Sequence, residues 1–450
     1  MYKAIYFLGI GGIGMSALAR YCKKKGYATG GYDRTPSPLT AELEAEGIEV
    51  HYEDRPDLVP DDEEGTLVVY TPAVPETLEE LRKVRSRGYR LVKRAQLLGE
   101  LCAGHKTLAV AGTHGKTTTS TLVGHIIANA GIGCTAFLGG ISKNYGSNLI
   151  ATGEKVMVAE ADEYDRSFHQ LHPAIAAITS MDADHLDIYG DLEHVHEAFR
   201  VFASQVSDTL IVKYGLPISQ EVTSAKLLSY ACDDTRAHFH AENLKLDALG
   251  HFVFDIVYPG GVLRNVRSGV LGRFNVENCV AAAAICLSYG MDGDAIRNGI
   301  GTFQGARRRL DVQINTPSLT YIDDYAHHPQ ELGSSIRALR EIFPGRKISG
   351  IFQPHLYTRT RDFAEGFAEA LSMLDEVILL DIYPAREEPI PGVSSELIYS
   401  RLTCAEKVLL HKDELLAHLE SSSVDVLVSF GAGDIDRFVT PITKMLEKRL

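Results

Sequence analysis

Short apolar runs alternate with amphipathic stretches along almost the whole chain. Residues 4–9 form one such run, followed by a glycine turn and a helix-like stretch at 15–25. Further runs at 47–50, 67–70 and 90–92 alternate with helical segments such as 76–87. Brief apolar strands separated by helix-period segments predict a parallel sheet with helices on both faces. The rhythm restarts after a glycine- and charge-bearing stretch at 101–106, with strands expected at 155–159 and 174–179 and helices at 117–130, 192–204 and 276–288. Between them, residues 226–270 alternate apolar and polar positions around turn residues at 247–250, which reads as an antiparallel excursion on one sheet edge. A third run follows Arg309, with strands at 319–322, 348–352, 376–380 and 425–430. The expectation is an α/β chain of three domains: 1–103, 104–309 and 310–450.

Composition agrees with that count. At 450 residues the chain suits about three domains, and 45% apolar residues suffice for several cores. A net charge of −14 argues against nucleic acid as a partner, so anionic substrates must be met by local basic and backbone sites. No stretch approaches the ~20 apolar residues of a membrane span, and the first residues lack a signal peptide's basic start and cleavage site, so no secretory leader is expected. Seven scattered cysteines, never in a C-x-x-C pair, read as reduced, buried small hydrophobes. These features predict a cytoplasmic protein; they leave its oligomeric state open.

Chemistry concentrates where strands end. Residues 108–118 run from an apolar strand through Gly112-Thr113-His114-Gly115-Lys116-Thr117-Thr118 into a helix. Such a loop rings a phosphate with backbone N–H groups, extends Lys116 to the outer phosphates and offers Thr117 to Mg²⁺. It is a shortened variant, since Val110 stands where the full pattern has glycine. Glu160 follows the next strand and is the candidate carboxylate for a Mg²⁺·ATP site. Asp162 and Glu163 also read as a solvated acidic turn. His185, among Asp182, Asp184 and Asp187, is a candidate ligand for a second cation or a polariser of substrate. His194 and His196 stand two apart on a helix and read as solvent-facing or packing.

The first glycine loop, Gly9-Ile-Gly11-Gly12-Ile-Gly14, with Asp33 some twenty residues on, satisfies the dinucleotide fingerprint. Its physics requires only a diphosphate at a helix N-terminus, so a UDP-sugar fits as well as NAD. Farther on, Phe274, Asn275 and Asn278 open a helix of small residues, able to stack on and read an adenine or simply to cap the helix. Arg307, Arg308 and Arg309 suit a γ-phosphate grip or a basic surface. Asp323-Asp324-Tyr325-Ala326-His327-His328 gathers two carboxylates and two histidines just beyond a strand.

Taken together, residues 9–15, 112–118, 160–163, 184–187, 274–278 and 323–329 resemble the Mur ligases of peptidoglycan synthesis. Residues 352–355, 357–360 and 382–395 resemble more narrowly the branch that adds L-alanine to UDP-N-acetylmuramate. The resemblance runs almost end to end. It implies an N-terminal Rossmann-like domain for UDP-N-acetylmuramate, with Gly9, Gly11, Gly12, Gly14 and Asp33 facing it. It implies a central P-loop domain for ATP and a C-terminal Rossmann-like domain for L-alanine and part of ATP. By similarity Thr117, Glu160 and His185 hold Mg²⁺. Asn275, Asn278, Arg308 and Asp324 bind nucleotide with residues 112–118, while His327 and Arg359 face the amino acid and acyl group. No lysine occurs between His185 and Lys213, as in the alanine-adding branch, and Leu356 replaces an arginine many relatives carry.

The implied chemistry is carboxylate activation by ATP to an acyl phosphate, then attack by the alanine amine, with Lys116, Glu160, His185 and His327 the catalytic candidates and domain closure excluding water. Two other readings share motifs with it. A recycling ligase would join a preformed peptide to the same sugar nucleotide, and a nucleotide-binding regulator would use the first loop without ligation.

Overall fold

A computed structural model describes residues 2–183, 186–385 and 387–450. It contains three sheets. The first has five parallel strands in the order Glu49–His51, Ala28–Tyr32, Ala4–Leu8, Thr66–Tyr70, Arg90–Lys93. Chain direction across the sheet reverses at Ala4–Leu8, and ligands of open α/β sheets bind at such a switch point. The glycine loop leaves this strand. Alternation along it sends Ile5 and Phe7 to one core and Tyr6 and Leu8 to another, so both faces are covered.

The second sheet has ten strands, and Thr107–Ala111 is an interior member, flanked by Ile175–Ile178 and Val156–Ala161. All five residues of Thr107–Ala111 are buried, as expected of a strand covered on both faces. Beyond Val156–Ala161 lies a hairpin, Cys134–Ser142 with Ser147–Ala151, that the hydrophobic pattern does not announce. At the other end, Lys226–Ala231 and the start of Phe239–Leu246 pair in parallel with their neighbours. The expected antiparallel excursion therefore does not begin at 226; these residues extend the parallel sheet.

By contacts the chain divides into two compact units. One comprises 1–242, 255–266 and 277–304; the other comprises 243–254, 267–276 and 305–450. Within the first, one continuous core runs from Phe7 and Leu18 to Ala109 and Phe137. Asn148 of the hairpin also donates to Ile13 O (2.6 Å) and Ser16 Oγ (2.8 Å) of the helix Ile13–Lys24, and accepts from Arg20.

The second unit carries a six-stranded sheet. Asp311–Asn315 runs antiparallel to Thr320–Asp324, followed by Val426–Phe430, Ile348–Phe352, Glu376–Leu380 and Glu406–Leu410 in parallel. Helices Pro329–Ile342 and Tyr357–Leu371 pack on one face around Leu339 and Phe367. Leu415–Ser421 and Asp436–Glu447 pack on the other around Leu419 and Ile442. Among the described residues no helix is long and apolar enough to cross a membrane. Among the described residues no disulfide joins the seven cysteines; five are buried as expected, and Cys232 and Cys404 are half-buried.

Candidate functional site

The lysine loop is built on its neighbouring strand. Thr179 and Ser180, at the end of Ile175–Ile178, act as a scaffold: Ser180 Oγ accepts from His114 N (2.7 Å) and lies 2.8 Å from Thr113 Oγ1, while Thr179 Oγ1 donates to Ala111 O and His114 O. Gly112 sits at φ +136°, and a Cβ there would stand 2.1 Å from Thr179 Oγ1. Gly115, at φ +83°, caps the helix Lys116–Asn129 without a side-chain partner, so the first N–H groups point into the loop. That is a backbone anion site at the positive end of a helix.

Two carboxylates complete it. Thr117 Oγ1 donates to Glu160 Oε1 (2.9 Å), and Gly139 N donates to Glu160 Oε2 (2.8 Å). A Cβ on Gly139 would fall 2.3 Å from that carboxylate, so the unexpected hairpin supplies a glycine the site needs. Two hard oxygens, from Thr117 and Glu160, thus converge beside the phosphate cradle. Among the described residues no group of three or more His, Cys, Asp or Glu could hold a metal alone. The Thr117–Glu160 pair suits Mg²⁺, which takes one or two protein oxygens and completes its octahedron with phosphates and water. His185 lies outside the described residues.

Glu163 and Asp162 are not a solvated turn. Glu163 is only 2% exposed and its carboxylate grips Lys116 Nζ at 2.7–2.8 Å, with Gly112 O at 2.6 Å from the same nitrogen. Burial pushes the Glu163 carboxyl above its ordinary range, and Lys116 partly offsets this. Asp162 accepts from Arg94 Nη2 (3.1 Å), and Asp165 from Lys93 Nζ (2.8 Å). Only the spatial neighbours Lys116 and Arg94 distinguish these carboxylates from surface acids, which is why the sequence does not separate them. Thr118 is half-buried in the first helical turn. Asn278 is buried against the loop, its Oδ1 3.3 Å from Thr119 Oγ1 and 2.9 Å from where a Gly115 Cβ would stand.

In the first glycine loop, Asp33 Oδ2 accepts from Gly11 N (2.7 Å) and Oδ1 from Thr35 N (3.2 Å). The carboxylate shapes the loop from behind. Gly9 takes φ +87°, and Gly12 is the N-cap of Ile13–Lys24 without a side-chain cap. Arg94, not foreseen from the sequence, lies beside Gly14: a Cβ there would sit 2.9 Å from its guanidinium.

The second unit holds the other candidates. Asp323 and Asp324 are the last two residues of their strand rather than its sequel, and both are buried. Arg308 Nε reaches Asp323 Oδ2 (3.1 Å), its Nη2 donates to Gly431 O, and Ser429 Oγ donates to Asp323 Oδ1 (2.6 Å). The exposed-patch reading of the arginine run therefore fails for Arg308, while Arg307 and Arg309 are exposed. Asp324 accepts from Ser335 Oγ (2.6 Å) and Ala326 N (3.1 Å), and burial pushes its carboxyl up to about 6. His327 Nδ1 is 3.0 Å from Tyr325 O, which as an acceptor fixes the proton on Nδ1 and leaves Nε2 basic. Its ring lies 6.1 Å from that of His355, and His355 Nδ1 is 3.3 Å from Arg359 Nη1. Asn275 donates to Leu271 O (2.6 Å), so its amide serves the helix start; Phe274 is exposed. His196 packs on Met181 O and His194 pairs with Asp191 at the surface, as expected.

A lysine loop opening a helix beside a hydroxyl–carboxylate pair, in an α/β unit preceded by a second glycine loop, defines a P-loop nucleotide-binding protein. Family models described as Mur ligase family, catalytic domain; Mur ligase middle domain; and Mur ligase, glutamate ligase domain match residues 4–106, 110–286 and 308–433. A UDP-N-acetylmuramate–L-alanine ligase of Porphyromonas gingivalis is 49% identical over 453 residues, covering 99% of each chain. A relative of that name from Flavobacterium johnsoniae is 48% identical, over 99% of this chain and 98% of its own. The crystal structure of UDP-N-acetylmuramate–alanine ligase from Thermotoga maritima matches with a TM-score of 0.83 at 26% identity, covering 99% of this chain and 100% of that one. The chain belongs to the Mur ligase family.

Proposed function

We propose that this protein is an ATP-dependent ligase joining L-alanine to the lactyl carboxylate of UDP-N-acetylmuramate. The observation that carries the reading is the lysine loop with its Thr117–Glu160 pair, in a chain alike end to end to relatives bearing that activity in their names. Residues 1–103 bind the UDP-sugar through Gly9, Gly11, Gly12 and Gly14, with Asp33 fixing the loop. Residues 104–309 bind ATP through 112–118 and Asn278. Residues 310–450 receive the amino acid through His327 and Arg359, with Asp324 supporting the strand end.

A free carboxylate does not expel an oxygen leaving group for an amine. Its oxygen first attacks the γ-phosphorus, ADP departs, and an acyl phosphate forms. Lys116 and the backbone N–H groups of the loop spread the charge of the transferring phosphoryl group. Thr117, Glu160 and His185 would hold Mg²⁺, which would supply further neutralisation of phosphate charge. The alanine amine then attacks the acyl carbon, the C–N bond forms, inorganic phosphate leaves, and the surplus amine proton passes to His327 Nε2.

The test is phosphate release from ATP and UDP-N-acetylmuramate with single amino acids. Release with alanine is expected; release with a preformed peptide but not alanine would assign the chain to recycling instead. Burial, with Arg359 and Arg309 nearby, lowers the His327 pKa against the opposing pull of Glu331. A lowered pKa keeps the base neutral to lower pH. At saturating alanine, the acid limb of kcat should therefore fall below pH 6.5, and H327Q should lose that limb together with about a hundredfold in kcat. An unchanged profile in H327Q would move the base elsewhere.

A further inference from the structure

Glu163 has no task in the reaction as written, yet it is buried and grips the reactive lysine through both oxygens, at 2.8 and 2.7 Å. We propose that Glu163 is the resident counter-anion of Lys116, which the outer phosphates of ATP must displace before the lysine can serve them. This rests on the reading of residues 112–118 as the ATP site.

The argument is one of charge and stiffness. Lys116 folds back onto Gly112 O and Glu163, so its ammonium is committed to its own loop. Glu163 sits in a strap that cannot follow a moving partner. Its backbone carbonyl accepts from Tyr189 OH, and Arg166 stacks on that tyrosine ring at 4.9 Å. On either side, Asp162 is tied to Arg94 and Asp165 to Lys93, while Asp162 O accepts from Phe168 N (2.9 Å). Asp165 and Arg166 hold left-handed backbone, φ +52° and +53°, which makes the bend around Glu163 tight. The lysine, with four rotatable bonds, is the partner free to move.

A fixed carboxylate a few ångströms from a triphosphate repels it, and in a dry site that repulsion is poorly screened. Glu163 thus stabilises the empty loop at the expense of nucleotide affinity. The penalty falls on the outer phosphates that Lys116 reaches, so it distinguishes ATP from AMP.

Titration calorimetry on the full chain tests this. Glu163→Gln should bind ATP about five- to tenfold more tightly while AMP changes by less than about twofold. Unchanged or weaker ATP binding by a folded E163Q protein overturns the inference alone. Failure of the unaltered chain to bind ATP overturns the ATP reading and the inference with it. A second measurement does not depend on ligand. K116M leaves Glu163 without the lysine and should melt several degrees below the unaltered chain. The double variant K116M/E163Q should recover most of that loss. No recovery overturns the counter-anion role even if E163Q alone folds poorly.

Discussion

Replacing Lys116 by methionine is expected to lower alanine-dependent phosphate release at least about a thousandfold, with the protein still folded. The methionine keeps the length of the stem and removes the ammonium. What is lost is charge stabilisation that grows as the phosphoryl group leaves ADP, so the loss should appear in kcat rather than only in the KM for ATP. A thousandfold corresponds to about 4 kcal/mol of barrier, more than the loop's N–H groups can replace. The buried Glu163 gives the result a control, because K116M/E163Q should regain thermal stability without regaining turnover. Near-normal turnover in either variant would remove Lys116 from the mechanism and with it the ligase reading of the loop.

How much of this was legible in the chain varies with the kind of signal. The strands Ile348–Phe352 and Glu376–Leu380 lie where their apolar runs place them, and Leu192–Ser204 spans the residues its helical period marks. Local pattern suffices for such elements. The hairpin 134–151 is different. Its strands are buried on both faces near the start and broken by Gly139-Gly140, so neither period 2 nor period 3.6 appears. The same glycine that hides the strand is what lets Glu160 approach. In the site, Lys116, Thr117 and Glu160 are readable because strand, loop and helix signal together. Glu163 and Arg94 are not, since a carboxylate and a guanidinium become functional only through partners 47 and 68 residues away along the chain. Arg308 and Asp324 stand out in the sequence by their chemistry, and the structure adds that Asp324 ends its strand buried while Arg308 pairs with Asp323 beside it.

Arg308 bears the second large effect. R308M should destabilise the protein by about 3 kcal/mol, read as a lower urea midpoint, because it strands Asp323 in the sheet. Asp323 is fully buried, and burial raises its carboxyl above the usual range against the pull of Arg308, its chief opposing charge. Arg308 also closes onto Gly431 O and stacks on Tyr325 at 5.1 Å, from a left-handed backbone at φ +63°. Removing the guanidinium raises the Asp323 pKa further. A carboxyl whose folded pKa exceeds its unfolded value is taken up as the neutral acid when pH falls, so the folded state binds the extra proton first. The cost of R308M is thus greatest above the folded pKa and shrinks as pH drops towards the unfolded value near 4. The urea midpoints of R308M and the unaltered chain should therefore converge between about pH 8 and pH 5. In R308M/D323N the gap should be small at both pH values, since the stranded charge is gone. If R308M instead keeps full stability at pH 8 and loses only nucleotide affinity, Arg308 works as a phosphate grip, and the ion pair with Asp323 contributes nothing to the fold.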